Sequence, residues 1–201
     1  NLQLALEALR ESGLPADHEV FKKALVFVNR CHDGEGNDLD WVAGSGGFAY
    51  SPDLPSNENL PTEKTDGKVV VAYGSMTFAG LKSLIFCNVE RDDPRVQETL
   101  GWIGKNFAVD RHPFFGESAL YYYYQTMAKA LDVLDIKTLE QREGQSVQSA
   151  QIVNWRAELA AELLKRQRED GSWVNDDRKY MEGVPELCTA YALNALNIVY
   201  K

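Results

Sequence analysis

The sequence predicts an all-α protein in which amphipathic helices alternate with helices that are apolar on every side. Two observations lead to this fold class. Segments with apolar residues three or four positions apart are each followed by an almost wholly apolar segment, and this pair of segments occurs three times. Because repeated helical hairpins stack on their neighbours, the repetition is typical of a toroid or solenoid. We therefore expect an α/α toroid, a partial ring with apolar helices inside and amphipathic helices outside.

The first half of the chain predicts three helices. Residues 2–10 form a short helix, in the position of the inner helix of an earlier hairpin. Residues 20–31 form an amphipathic helix. Residues 73–87 form an apolar helix in which Lys82 and Ser83 are nearly the only polar side chains. A helix without a polar face has to be covered on all sides.

The second half predicts two further pairs. Residues 96–107 form an amphipathic helix that starts well, because a capping Asp93 precedes Pro94 at the first helical position. The apolar helix 120–134 follows it. In the third pair an amphipathic helix precedes the apolar helix 187–200. The amphipathic member of this pair has a stripe of Ile152, Trp155, Leu159 and Leu163, with Arg156, Glu158, Glu162 and Lys165 on the side that faces solvent.

Two connections are long. Residues 32–72 are rich in Gly, Asp, Asn and Pro, and residues 135–151 are polar and rich in Gln. Loops of this length within a domain are usually functional or disordered. An open partial ring would expose apolar helix edges, and we expect the 32–72 loop, further sequence or a partner chain to cover them.

Composition limits the function classes. The 201 residues are 44% hydrophobic, which is sufficient for one domain, and 30 acidic against 21 basic residues give a net charge of −9. This balance argues against nucleic-acid binding, and the apolar runs are too short for a membrane span. The chain begins Asn1-Leu2-Gln3 without a signal peptide, so we expect a soluble fragment of a longer chain, cytoplasmic or exported after cleavage. Cys31, Cys87 and Cys188 are expected to be small buried side chains.

A heptapeptide between the last two predicted helices has the order Gln167, three residues, Gly171, one residue, Trp173. Gly171 permits a tight turn after the helix. The Gln167 amide can bond free backbone groups at the helix end, and Trp173 supplies a large face for packing. We interpret the segment as a structural staple rather than a ligand contact.

These residues carry a resemblance. Residues 161–173 resemble the QW repeat of squalene–hopene cyclases and related terpenoid cyclases, and residues 189–196 look like the inner helix after such a repeat. Residues 74–84 are similar to the corresponding helix of an earlier repeat. Gly46-Gly47-Phe48 resembles the end of a repeat turn, preceded by an insertion. Protein prenyltransferase β subunits share this architecture, so the resemblance implies an α/α toroid.

The catalytic groups of that family are not carried over. Terpenoid cyclases use an Asp-x-Asp-Asp acid, whereas the matching stretches 73–77 and 185–189 contain no aspartate. Prenyltransferases bind zinc through a His in a Tyr-His-Thr context, where this chain has Gln125. A Cys31-His32-Asp33 zinc site is the remaining alternative, and adjacent ligands splay apart at a helix end. We expect neither a metal nor a cofactor.

Several residues near the starts of the predicted inner helices are candidates for binding. Aromatic rings there can stabilise a carbocation or stack on a sugar or an isoprenoid, and they can also simply fill the core, which we favour. A carboxylate there can act as an acid or cap a helix, and we favour the cap. The candidates are Tyr73, Tyr121, Tyr122, Gln125 and Tyr191 together with Glu117 and Glu182.

The sequence favours a binding or scaffold domain that lacks the family's catalysis. Its partner would be an apolar small molecule or a protein that associates through the open edges of the ring. One alternative is part of an enzyme that acts on an isoprenoid or another apolar ligand. A second is a carbohydrate-active α/α barrel with paired carboxylates, because Asp176, Asp177 and Glu182 follow Trp173 closely.

Overall fold

We describe a computed structural model that covers residues 2–53, 63–65, 68–70, 72–142 and 150–201. The chain divides into two compact units, Asn1–Ile103 and Gly104–Lys201. Seven α-helices account for about half of the described residues, and the strands are few and short, so the predicted helical class is confirmed. The ring arrangement and the single domain stay predictions. The predicted cover by the 32–72 loop falls partly on residues outside those described.

Unit 1 is built around one buried helix. It contains α1 (Leu2–Glu11), α2 (Glu19–Cys31), α3 (Gly74–Phe86) and most of α4 (Pro94–Asn106). Strands β1 (Glu63–Thr65) and β2 (Lys68–Val70) pair antiparallel. Helix α3 packs against both α1 and α2, as an apolar helix without a wet face must.

Nearly all side chains of α3 are buried, including its one charged residue. Lys82 is 1% exposed, and its Nζ lies 2.8 Å from Glu7 Oε2 on α1. Phe48 lies against Gly80, where an added Cβ would collide with its aromatic ring. The ion pair and the missing Cβ therefore allow α3 to be enclosed.

Helix α4 begins where the sequence predicts. Pro94 is its first residue, and the N–H of Arg95 donates to Asp93 Oδ1 at 3.0 Å. The Arg95 guanidinium donates to both oxygens of the same carboxylate. Asp93 thus caps the helix and holds Arg95 in place.

Unit 2 contains α5 (Leu120–Val133), α6 (Trp155–Arg166) and α7 (Pro185–Val199), with α7 packed on both other helices. A hairpin of β3 (Leu139–Arg142) and β4 (Ala150–Val153) precedes α6, and it pairs antiparallel with Leu139 opposite Val153. A 3-10 turn, Lys179–Met181, precedes α7. The sequence did not predict the hairpin.

Three predictions for unit 2 are wrong. Ile152 lies exposed in β4 and not on a helix stripe, because Asn154 caps α6 by accepting from the N–H of Ala157 at 3.2 Å. Glu162, expected to face solvent, is buried and pairs with Arg166 Nε at 2.6 Å. Helix α7 is not covered on all sides, since it exposes Leu193 together with its two asparagines, Asn194 and Asn197.

Candidate functional site

The same backbone turn follows α2 in unit 1 and α6 in unit 2. In unit 2, the N–H of Arg168 donates to the carbonyl of Ser172 at 2.9 Å, and the N–H of Gly171 donates to the carbonyl of Arg168 at 2.9 Å. Gly171 has φ +82, a value that L residues rarely adopt.

The turn of unit 1 contains the same two backbone hydrogen bonds. The N–H of Asp33 donates to the Gly47 carbonyl at 2.8 Å, and the N–H of Gly46 donates to the Asp33 carbonyl at 2.7 Å. Gly46 has φ +83. The two turns are therefore equivalent, although Gly46 follows α2 after a much longer excursion than Gly171 follows α6.

A buried aromatic residue ties each turn to the next helix. The backbone N–H of Trp173 donates to Thr189 Oγ1 on α7 at 3.1 Å. The backbone N–H of Phe48 donates to Thr77 Oγ1 on α3, also at 3.1 Å. The two threonines thus accept from equivalent turns, a role that their types and spacing did not predict.

The predicted staple residues make hydrogen bonds other than those we expected. The Gln167 amide donates to the carbonyl of the turn residue Gly171 at 3.0 Å. The carbonyl of Leu163, in the last turn of α6, instead accepts from the indole N–H of Trp173 at 2.8 Å. Trp173 therefore satisfies the helix end while its ring is buried between α6 and the turn.

Three of the four consecutive tyrosines fill the core of unit 2. Tyr121, Tyr123 and Tyr124 are buried. The hydroxyl of Tyr123 donates to the Ala108 carbonyl at 2.7 Å, and that of Tyr124 donates to the Val109 carbonyl at 2.5 Å. Burial raises the pKa of Tyr121 to about 12. These hydroxyls are structural donors rather than acids.

Tyr122 differs, because it is half-buried and meets a partner on α7. Its ring centroid lies 6.0 Å from that of Tyr191, with the planes at 64°. One turn further along α5, Gln125 Oε1 accepts from Asn194 Nδ2 at 3.0 Å. We call Tyr122, Gln125, Tyr191 and Asn194 the aromatic–amide face, in which Gln125 is buried, the two tyrosines are half-buried and Asn194 is exposed.

The remaining candidates lie elsewhere. Tyr73 precedes α3 in unit 1 and is buried. Glu117 is exposed, and its Oε2 lies 3.2 Å from Arg166 Nη1. Tyr73 belongs to unit 1, whereas the aromatic–amide face belongs to unit 2. The contact described for Glu117 is with Arg166, which is not part of the face. Asn194 and Asn175 are contributors that sequence patterns did not identify, since a polar residue in a helix or loop carries no signal of its partner.

Glu182, which lies between the 3-10 turn and α7, caps α5. Its fully buried carboxylate accepts from the backbone N–H of Tyr122 at 2.9 Å and from Asn175 Nδ2 at 2.7 Å. Desolvation raises the pKa of Glu182, and the hydrogen bonds from Asn175 and from the N-terminal N–H groups of α5 oppose this rise. The carboxylate is thus held at the start of α5, where the helix dipole favours a negative charge.

The raised pKa predicts a specific pH dependence of stability. The carboxyl of Glu182 has a pKa of about 4.3 in the unfolded state and a higher pKa in the folded state. As the pH rises between these two pKa values, the unfolded state loses the carboxyl proton first, so the stability that Glu182 contributes falls. We expect this contribution to be complete below the unfolded pKa and lost above the folded one. Glu182→Gln removes it, which urea titrations of both proteins across this pH range will measure. Parallel pH profiles of the two proteins would contradict the assignment.

The cysteines and Asp33, which belong to the zinc alternative considered above, are held by their local surroundings. Burial raises the pKa of Cys31 to about 12 and those of Cys87 and Cys188 to about 11, so all three remain thiols. The Asp33 carboxylate accepts from the N–H groups of Ala43 and Gly44 at 2.5 and 2.9 Å. Among the described residues, no three His, Cys, Asp or Glu side chains form a group suited to a metal.

Comparison with models of known protein families, with curated proteins and with solved structures gives no match. Within the described ranges, none of the helices combines the length and the apolar character needed to cross a membrane.

Proposed function

We propose that this chain is a binding or scaffold domain built from helical hairpins of the terpenoid cyclase and prenyltransferase type, arranged as an α/α toroid. The equivalent turns after α2 and α6 carry this proposal. Their matched backbone bonds, left-handed glycines and aromatic-to-threonine bonds support the view that both hairpins are copies of one repeat. Repeats of this kind stack on each other and leave concave surfaces for ligands.

The aromatic–amide face is the surface where we propose a ligand. Tyr122 and Tyr191 offer ring faces to an apolar body, and the amides of Gln125 and Asn194 offer donors and acceptors to a polar end. An isoprenoid alcohol has both parts. The buried carboxylate of Glu182, which accepts from the backbone N–H of Tyr122, already serves as a cap, which favours binding over acid catalysis.

Titration calorimetry with geraniol, a soluble isoprenoid alcohol, tests the proposal. We expect saturable binding that Tyr191→Ala weakens about tenfold, because an aromatic contact contributes up to about 1.5 kcal/mol. Tyr200→Ala is the matched control, since Tyr200 ends the same helix with a ring that is 70% exposed. Equal losses in both variants, or no saturable binding of geraniol, would reject the face as the site.

The carbohydrate-active alternative depends on acids that are otherwise engaged. Asp177 accepts from the Ser118 hydroxyl and from the N–H of Lys179, and these bonds lower the pKa of its carboxyl. Together with the capping role of Glu182, this leaves Asp176 as the exposed acid of the cluster. Cellobiose in the same titration distinguishes the two ligands, and preferential binding of cellobiose would favour the alternative. An isoprenoid-converting enzyme remains a further proposal for a longer chain.

A further inference from the structure

A polar pocket lies beside the turn of unit 1, whereas the aromatic–amide face belongs to unit 2. Its volume is about 340 Å³, and its lining comes from the end of α2, the excursion after it and the start of α4. The lining residues are Asn29, His32, Glu35, Gly36, Asp93, Pro94 and Arg95.

His32 occupies the position in this turn that Gln167 occupies in unit 2. Each residue directly follows its helix and donates its backbone N–H three residues back, to Asn29 and to Leu164 respectively. Gln167 is exposed and closes its turn. His32 is 1% exposed, and neither of its ring nitrogens has a hydrogen-bond partner in the described part of the chain. The same backbone position therefore presents an imidazole to a pocket.

Glu98 on α4 is not among the lining residues, but its carboxylate lies beside this imidazole. Its Oε2 lies 3.7 Å from His32 Nε2, which is too far for a direct hydrogen bond but within reach of one shared donor group. The same oxygen accepts from the backbone N–H of Glu35 at 3.2 Å. An added Cβ on Gly34 would collide with both side chains, so the glycine keeps this position open.

The charges around the pocket favour a cation. The Arg95 guanidinium is occupied by Asp93, at 2.8 and 2.7 Å, and by Asn29 Oδ1 at 2.8 Å. The carboxylates of Glu35 and Glu98 then remain in excess. Burial lowers the pKa of His32, against the opposing effects of the Glu98 and Asp33 carboxylates and the Gly46 carbonyl. A neutral imidazole has one nitrogen that accepts a hydrogen bond.

We propose that this pocket binds a small ligand with a primary ammonium group, which donates to His32 while the carboxylates of Glu35 in the lining and of Glu98 beside the imidazole balance its charge. The imidazole acceptor and the surplus negative charge suit such a donor. A metal ion would lack a third protein ligand among the described residues, and an anion would meet Glu35 and Glu98. The site is separate from the proposed isoprenoid surface, and geraniol, which has no charge, does not test it.

Nuclear magnetic resonance of the histidine rings tests the proposal, because the chain contains three histidines. Titration with butylammonium at neutral pH is expected to shift the His32 signals saturably and to leave His18 and His112 unchanged. Glu98→Gln is expected to weaken this binding about tenfold. Glu90→Gln, at an exposed acid of the same unit, is expected to leave it unchanged.

His32→Gln should retain the fold, because glutamine already stands at the equivalent position of the other turn, and it should abolish binding as measured by calorimetry. If His32→Gln does not fold, the Glu98→Gln comparison still decides. Absence of a saturable shift, an unchanged affinity in Glu98→Gln, or equal shifts with butanol or butyrate would overturn the proposal. A His32 shift with Zn²⁺ alone, and none with butylammonium, would overturn it in favour of a metal.

Discussion

Replacing Trp173 with alanine is expected to lower the free energy of unfolding by about 3–5 kcal/mol, the range for truncating a large buried aromatic residue. Trp173 is fully enclosed, and its indole N–H serves the Leu163 carbonyl at the end of α6. The alanine variant loses the packed ring and leaves this carbonyl without its donor. Urea denaturation followed by circular dichroism measures the change.

Two milder variants separate the contributions of individual hydrogen bonds from that of the packed ring to this loss of stability. Trp173→Phe keeps most of the packing but removes the indole donor, so we expect a cost of about 1–3 kcal/mol. Thr189→Val leaves the backbone N–H of Trp173 without its acceptor, for a similar cost. Trp41→Ala, at a half-buried ring, is the control and should cost less than Trp173→Ala. If Trp173→Ala costs no more than Trp41→Ala, the turn is not held together by this residue.

The equivalence of the two turns was only partly predictable. Glycine followed by an aromatic residue two positions later marked both turns, because a left-handed backbone requires glycine and a buried ring is large and apolar. The residue that begins each turn carried no such signal. His32 and Gln167 differ in type, and the intervening chain differs in length. Their equivalence is visible only in the backbone bonds that the folded turns share.

Apolar patterns predicted the helices better than their ends. The runs that became α3 and α5 are apolar on every face, and burial follows from that. Ile152 was assigned to the stripe of α6 because it lies three residues before Trp155, but an Asn at position 154 is a strong helix-start signal. A one-residue capping signal therefore outweighs a helical spacing, and the residues before it were free to form β4.

Charged residues were the least predictable part of the site and the core. Glu162 and Lys82 are both enclosed, and each lies beside a charged partner. Arg166 lies four residues after Glu162, a spacing that sequence can suggest. Glu7 lies on another helix, and a partner that is distant in sequence cannot be inferred from periodicity.

Removing the carboxylate of Glu7 is expected to be as disruptive as the loss of Trp173. Lys82 is 1% exposed, and its Nζ lies 2.8 Å from Glu7 Oε2, so Glu7→Gln removes a negative charge that is in contact with a buried ammonium group. Breaking a buried ion pair in this way costs about 3–5 kcal/mol. Lys82→Met is expected to cost less, because Glu7 is 15% exposed and its carboxylate can turn toward water. Urea denaturation of each variant measures both values.

The double variant Glu7→Gln, Lys82→Met decides whether the interaction between the two side chains is responsible for the loss of stability. Because the buried ammonium group is removed together with the carboxylate, we expect it to be more stable than Glu7→Gln alone, so the two changes are strongly non-additive. Glu19 and Lys23 provide the control, since their charged atoms are also 2.8 Å apart but both side chains are more than 70% exposed. Glu19→Gln should change stability by about 0.5 kcal/mol or less. Additive costs at positions 7 and 82 would mean that Glu7 contributes through packing and that the charge of Lys82 is stabilised by other groups.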